Sequence, residues 1–224
     1  METKSFPKWI PQVIVLGAAW GLAEAALGLG LHKCASQASG SIMTGVALFF
    51  ISAVWAAGGG AAGIALSLVL VSLLKLFDAL LLSLPVMGGA VANPIFAFWT
   101  EGLAFLFVFA LLQGSLSTKK AGLAAGGALA ALAAVNLFPL VKFATGIPAC
   151  VVPGTQYPLS LYYAPIAVAL SALTVPLGLR AGARMAASAE RAAALGRLAP
   201  LRRFAPSAAV VLSLLLIASV HLIG

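Results

Sequence analysis

Apolar runs separated by short polar or glycine- and proline-containing breaks recur along the whole chain, at residues 10–31, 41–57, 61–84, 93–113, 121–140, 158–179 and 208–223. A helix needs roughly 20 apolar residues to cross the hydrocarbon core of a bilayer. The first six runs meet that length and the last barely does. The pattern predicts an all-α integral membrane protein with a six-helix transmembrane core and a C-terminal seventh hydrophobic helix. It divides the chain into the core at 1–184, a basic amphipathic cytoplasmic segment at 185–204, and the hydrophobic helix at 205–224.

The breaks are chemically specific. Gly58, Gly59 and Gly60 supply the dihedrals of a tight reversal between the second and third helices. With no Lys or Ser/Thr following at P-loop spacing, they read as a turn and not as a phosphate cradle. Pro85 with Gly88 and Gly89 ends the third helix, and Asn93-Pro94 starts the fourth with Pro in its first turn. Gly122, Gly126 and Gly127 mark the fifth as a closely packed helix. Pro165 and Pro176 predict kinks in the sixth. Residues 142–157 read as an irregular loop long enough to fold over a cavity.

Composition agrees with the pattern. The chain has 224 residues, of which 62% are hydrophobic and 8% charged, with a mean hydropathy of +1.12; soluble domains are about a quarter charged. No sizeable soluble domain fits beside the helices, so any nucleotide-driven step belongs to another chain. A net charge of +8 does not indicate nucleic-acid binding, because the basic residues fall in loops and flanks, where membrane lipid headgroups are their partners. A cytoplasmic N-terminus places Lys4, Lys8, Lys119, Lys120 and the arginines at 180, 184, 191, 197, 202 and 203 inside, against Lys33 and Lys142 outside. The positive-inside rule selects that orientation in a plasma (inner) membrane, multi-pass. The arginines at 180, 184, 191 and 202 fall near one side of a helix, which suits a surface-lying segment or a docking site for a cytosolic partner.

Ionisable residues inside the apolar runs are costly and mark functional sites. Glu24, Asp78 and Glu101 stand on three different helices at matching depth in the outer half of the bilayer, with His32, Lys75 and Asn93 at similar or shallower depth. Lys75 and Asp78, three residues apart, share a helix face and can pair. Mutual neutralisation that merely orients helices is one reading. A polar, outward-facing cavity for a cationic or hydrogen-bonding solute is the other, and three acids at one depth favour it. Glu24, Asp78 and Glu101 are then solute contacts, Lys75 their charge balance, and Asn93 and His32 polar contacts. A metal site from Glu24, His32, Asp78 and Glu101 is chemically allowed, but no spacing supports it. His221 reads as interfacial. Cys34 and Cys150 both fall outside, where they form a disulfide or remain free thiols. There is no HExxH, CxxC, GxSxG or P-loop, so no enzyme activity and no cofactor is expected. Lone serines such as Ser67 and Ser72 are expected to hydrogen-bond backbone carbonyls.

Three stretches carry a family resemblance: the small-residue ladder Gly17, Gly21, Ala25; the glycine-led helix AAGIALSLVLVSLLKLFDALL with its late acid Asp78; and NPIFAFWTEGLAFLFVFALLQ with its embedded Glu-Gly. With the chain's size and six-helix core, they resemble the substrate-binding S component of energy-coupling factor (ECF) transporters. The resemblance implies a subunit that captures a vitamin-like molecule or metal cation outside and relies on a separate transmembrane coupling protein and ATPase subunits. It also implies that Gly17, Gly21 and Ala25 face that coupling partner. The arginine segment and seventh run depart from the family pattern: if the last run spans, the C-terminus is outside, unlike the usual S component, and the arginine segment occupies the cytoplasmic face where the ATPase-bearing module docks. A stand-alone cation- or proton-coupled transporter or channel, and a non-transporting accessory subunit, are the alternatives.

Overall fold

The computed structural model describes residues 7–32, 36–112, 119–152, 154–194 and 199–223, with side-chain surroundings given outside residues 29–38, 193–203 and 223. These residues are helical almost throughout: α1 (Ile10–His32), α2 (Ser36–Val54), α3 (Gly60–Leu81), α4 (Gly89–Leu111), α5 (Lys120–Leu137), a short α6 (Val141–Thr145), α7 (Leu159–Ala194) and α8 (Ala199–Ile223). Six helical segments are long and apolar enough to cross a membrane: Ile10–Gly28, Ser39–Leu81, Gly89–Leu111, Lys120–Thr145, Leu159–Ala192 and Phe204–Leu222. Among the described residues the only β pairing is an isolated bridge between Val151 and Pro158.

Ser39–Leu81 contains both α2 and α3. Gly58 (φ 90°) and Gly60 (φ 54°) lie in the left-handed region open to glycine, and the chain turns back there as the glycine run predicts. Residues near the start of α2 and the end of α3 consequently line the same cavity. α3 stops at Leu81, three residues earlier than the apolar run. Ser83 takes a positive φ of 53°, and the Leu84 amide donates to the Ala79 carbonyl to close the end. α4 begins earlier than the sequence suggests, because the Gly88 carbonyl accepts from the Val91 and Ala92 amides. Pro94 therefore sits in the second turn, where it has no N–H to donate to the Ala90 carbonyl.

The widest departure is in α7. The sequence predicts a helix ending near 179 and a separate basic segment, whereas α7 runs unbroken for 36 residues. At 1.5 Å per residue it is about 54 Å long, well beyond a hydrocarbon core of about 30 Å. The reason is local: residues 181–194 are mostly alanine, the best helix former, with no proline among them. Arg180, Arg184 and Arg191 thus ride on the continuation of a helix whose first part is long and apolar enough to cross a membrane.

α7 packs most extensively against α2 and α5, and glycines permit it. A methyl group at Gly178 would overlap the Phe49 carbonyl oxygen, one at Gly182 the Ala53 carbonyl, and one at Gly127 the Ser171 carbonyl. An aromatic cluster fills the interior between α1, α2 and α4. Fully buried Trp20 stacks on Phe50 and meets Phe98 edge-on at 5.4 Å. Ser67 donates to the Ile64 carbonyl as expected, while the buried Ser72 hydroxyl has no partner. Leu73, Leu80, Leu103, Phe107 and Leu215 point outward, as a lipid-facing surface requires.

Gly127→Ala and Gly182→Ala should each destabilise the protein by about 1–3 kcal/mol through overpacking against backbone. Gly28→Ala, where nothing lies within 4 Å of the added carbon, should leave the melting temperature unchanged or raise it. Thermal unfolding of the detergent-purified variants measures both.

Candidate binding cavity and its charged wall

At one end of the bundle, α1, α2, α3, α4 and α7 splay around a cavity of about 380 Å³. Four predicted site residues line it: Glu24 from α1, Lys75 from α3, and Asn93 and Glu101 from α4. Asn93 and Glu101 are eight residues apart, a little over two helical turns, so both fall on one side of α4, and Pro94 and Ala97 of that side line the cavity as well. Helix direction accounts for the convergence. The chain enters α2, α4 and α7 at the end where it leaves α1 and α3, so late residues of some helices meet early residues of others.

Glu101 accepts a hydrogen bond from the Thr44 hydroxyl and lies within electrostatic reach of Glu24. Glu24 in turn feels Lys75 and Asp78. The Lys75 ammonium donates to Asp78 Oδ2 at 2.8 Å, so its closest ion pair is not with a cavity acid. Glu24 and Glu101 have no cation within 4 Å among the described residues. Three residues of the wall also carry buried polar atoms without a hydrogen-bond partner: Glu24 Oε2, Asn93 Oδ1 and Ser160 Oγ. Burying such atoms unmet costs about 1–3 kcal/mol each, a cost that a bound molecule or water can offset.

Asp78 does not line the cavity. It is buried between Lys75 and His221, whose Nε2 meets Asp78 Oδ1. This contact, missed when His221 was read as interfacial, ties the end of α8 to α3. Further along, Ser213 Oγ donates to the Ala18 carbonyl at 3.0 Å, and Ile217 packs fully buried beside Ala25 and Leu74. The seventh hydrophobic run is thus attached to the bundle along α1 and α3, although Phe204–Leu222 is the least buried of the six apolar segments.

The small-residue ladder also lies elsewhere than expected. Gly17 abuts Ser67 and Leu70 and Gly21 abuts Leu74, all on α3, and Ala25 is covered by Leu74 and Ile217. All three are buried within the chain, which corrects the reading of Gly17, Gly21 and Ala25 as an open partner-facing surface. Small side chains let two helices approach whether the neighbour is another chain or the same one. His32 ends α1, and its side chain lies outside the described residues, as does Cys34 and with it the disulfide question. Cys150 lies at the cavity wall. Lys142 is exposed on α6 and away from the cavity.

Thr44, Phe98, Phe138, Ser160 and Tyr163 complete the wall and were not foreseen. Ser160 and Tyr163 carry a usable signal, two polar-tipped residues three apart in the first two turns of an apolar helix. The aromatic walls carry none, since phenylalanine in a membrane helix is equally at home against lipid. Among the described residues of 142–157, Val152 N donates to the Tyr157 carbonyl at 2.9 Å and Leu159 N to the Cys150 carbonyl at 2.9 Å. The segment therefore forms a bonded turn that brings Cys150 to the cavity.

His221→Ala should loosen the end of α8 and lower stability by about 1–3 kcal/mol, since Asp78 loses a buried partner. Modification of a cysteine introduced at Leu222 should become faster in that variant, and unchanged labelling with unchanged melting would remove the contact from the account.

Comparison of the chain with family models, with characterised proteins and with solved structures finds no match.

Proposed function

We propose that this chain is a membrane-embedded binding subunit for uptake of a small solute, energised by separate coupling and ATPase subunits. The observation that supports the reading is the convergence of Glu24, Lys75, Asn93 and Glu101, from three helices, on one cavity of about 380 Å³. That volume lies in the range of small-molecule sites, which combine mostly apolar walls with a few placed polar groups. In lipid, two carboxylates unmatched by a close cation are hard to account for by packing alone. The chain offers no motif for driving transport itself, so the energy comes from partners.

With a cytoplasmic N-terminus the cavity opens toward the outer face of a plasma membrane. The chain on this reading crosses seven times, counting α2 and α3 separately, and α8 is the seventh span. Arg180, Arg184 and Arg191 emerge on the cytoplasmic side, among lipid headgroups and partner subunits. The segment before α7 that holds Cys150 closes over the bound solute.

A ligand at a hundredfold excess over its dissociation constant stabilises by about 2.7 kcal/mol, so binding is visible without knowledge of transport. In a melting-shift screen of the purified protein against vitamins, vitamin precursors and divalent metals, at least one compound should raise the melting temperature. Glu24→Gln and Glu101→Gln should abolish that shift while leaving the unliganded protein folded. A shift that survives both substitutions places the ligand elsewhere. Uptake by the chain alone in liposomes would overturn its dependence on an energising module.

A further inference from the structure

Resting on the binding reading above, we propose that the cavity takes a flat aromatic organic cation, its donor-bearing nitrogen held by Glu24 and Glu101 and its ring against Phe98, Phe138 and Tyr163. Three observations carry the proposal.

The first is size and donor chemistry. A cavity of about 380 Å³ is many times the share of one water molecule, about 30 Å³, and far larger than a dehydrated metal ion. Among the described residues no group of three or more His, Cys, Asp or Glu side chains stands close enough to hold a metal.

The second is charge and hydrogen-bond polarity. Lys75 is engaged by Asp78 at 2.8 Å, and Asp78 also meets His221, which leaves the two cavity carboxylates without a close cation. Glu24 Oε2 and Asn93 Oδ1 are buried acceptors without a donor. The wall is therefore rich in acceptors and calls for a ligand that brings donors and positive charge.

The third is the shape and fixation of the apolar wall. Phe98 is held by Trp20 with ring centroids 5.4 Å apart. Phe138 is held edge-on by Phe96 at 6.2 Å. Tyr163 lies against Gly40, where an added methyl would meet its ring at 2.5 Å, and its carbonyl accepts from Ser41 Oγ at 3.2 Å. Aromatic walls braced from behind lose little freedom on binding, and they favour flat rings and cations placed over their faces.

The test uses the full-length purified protein and four probes at matched millimolar concentrations: benzamidine, the isosteric but uncharged benzamide, benzoate, and cobalt(II) chloride. Benzamidine should raise the melting temperature most, benzamide less, and benzoate and cobalt not at all. That order is read on the unmodified protein and needs no variant. Glu24→Gln and Glu101→Gln should each weaken benzamidine at least tenfold. Phe138→Leu, at a half-buried position, should weaken it severalfold while the unliganded melting temperature holds. A shift from cobalt or benzoate that matches or exceeds that of benzamidine, and is lost in the glutamine variants, overturns the ligand class and leaves the binding reading standing. No shift from any of the four overturns the class; an empty wider screen as well takes the binding reading with it.

Discussion

Backbone-to-backbone contact between α7 and its neighbours is the constraint on which the arrangement depends. Lipid tails are as apolar as leucine, so apolar side chains gain little by leaving lipid for one another, and close packing must supply the cohesion. Gly178 and Gly182 of α7 lie directly against carbonyl groups of α2, and Gly127 of α5 lies against the Ser171 carbonyl of α7. With these contacts made, α7 holds α2 and α5 together on one side of the bundle. The same logic joins α1 to α3, where Gly17 and Gly21 admit Ser67, Leu70 and Leu74.

Tight packing over most of the bundle gives the opening at one end its meaning. The cavity forms where α4 begins and α7 begins, next to the ends of α1 and α3, and there the ionisable residues gather. Asp78 is fully engaged, with Lys75 on one oxygen and His221 on the other. Glu24 and Glu101 are not. The bundle thus separates an acid that fastens helices from two cavity acids without an ion-pair partner among the described residues, although in the sequence all three look alike. α8 takes part in that separation, since it brings His221 to Asp78.

Much of this was legible beforehand. Composition and the spacing of apolar runs specify a helical membrane protein, because the period and length of such runs answer directly to bilayer thickness. The glycine triplet specifies a reversal, because few other residues tolerate its dihedrals. Glu24, Lys75, Asn93 and Glu101 stand out as polar residues in apolar surroundings, and they do meet. The assignment of Gly17, Gly21 and Ala25 to a partner failed for an equally physical reason: a ladder of small residues states that something approaches closely, not which helix it is.

The sequence by itself determined the solvent in which this chain folds, the number and rough limits of its apolar segments, and the few ionisable side chains that a bilayer tolerates only for a purpose. These properties depend on local composition and on near-neighbour periodicity. Tertiary structure alone decided that α7 continues through its arginines, that α8 covers α1 and α3, that His221 meets Asp78, and that Phe98, Phe138 and Tyr163 wall the cavity. Each of these depends on which helix faces lie together in space, and pairings between residues as far apart as 78 and 221 leave no periodic trace along the chain.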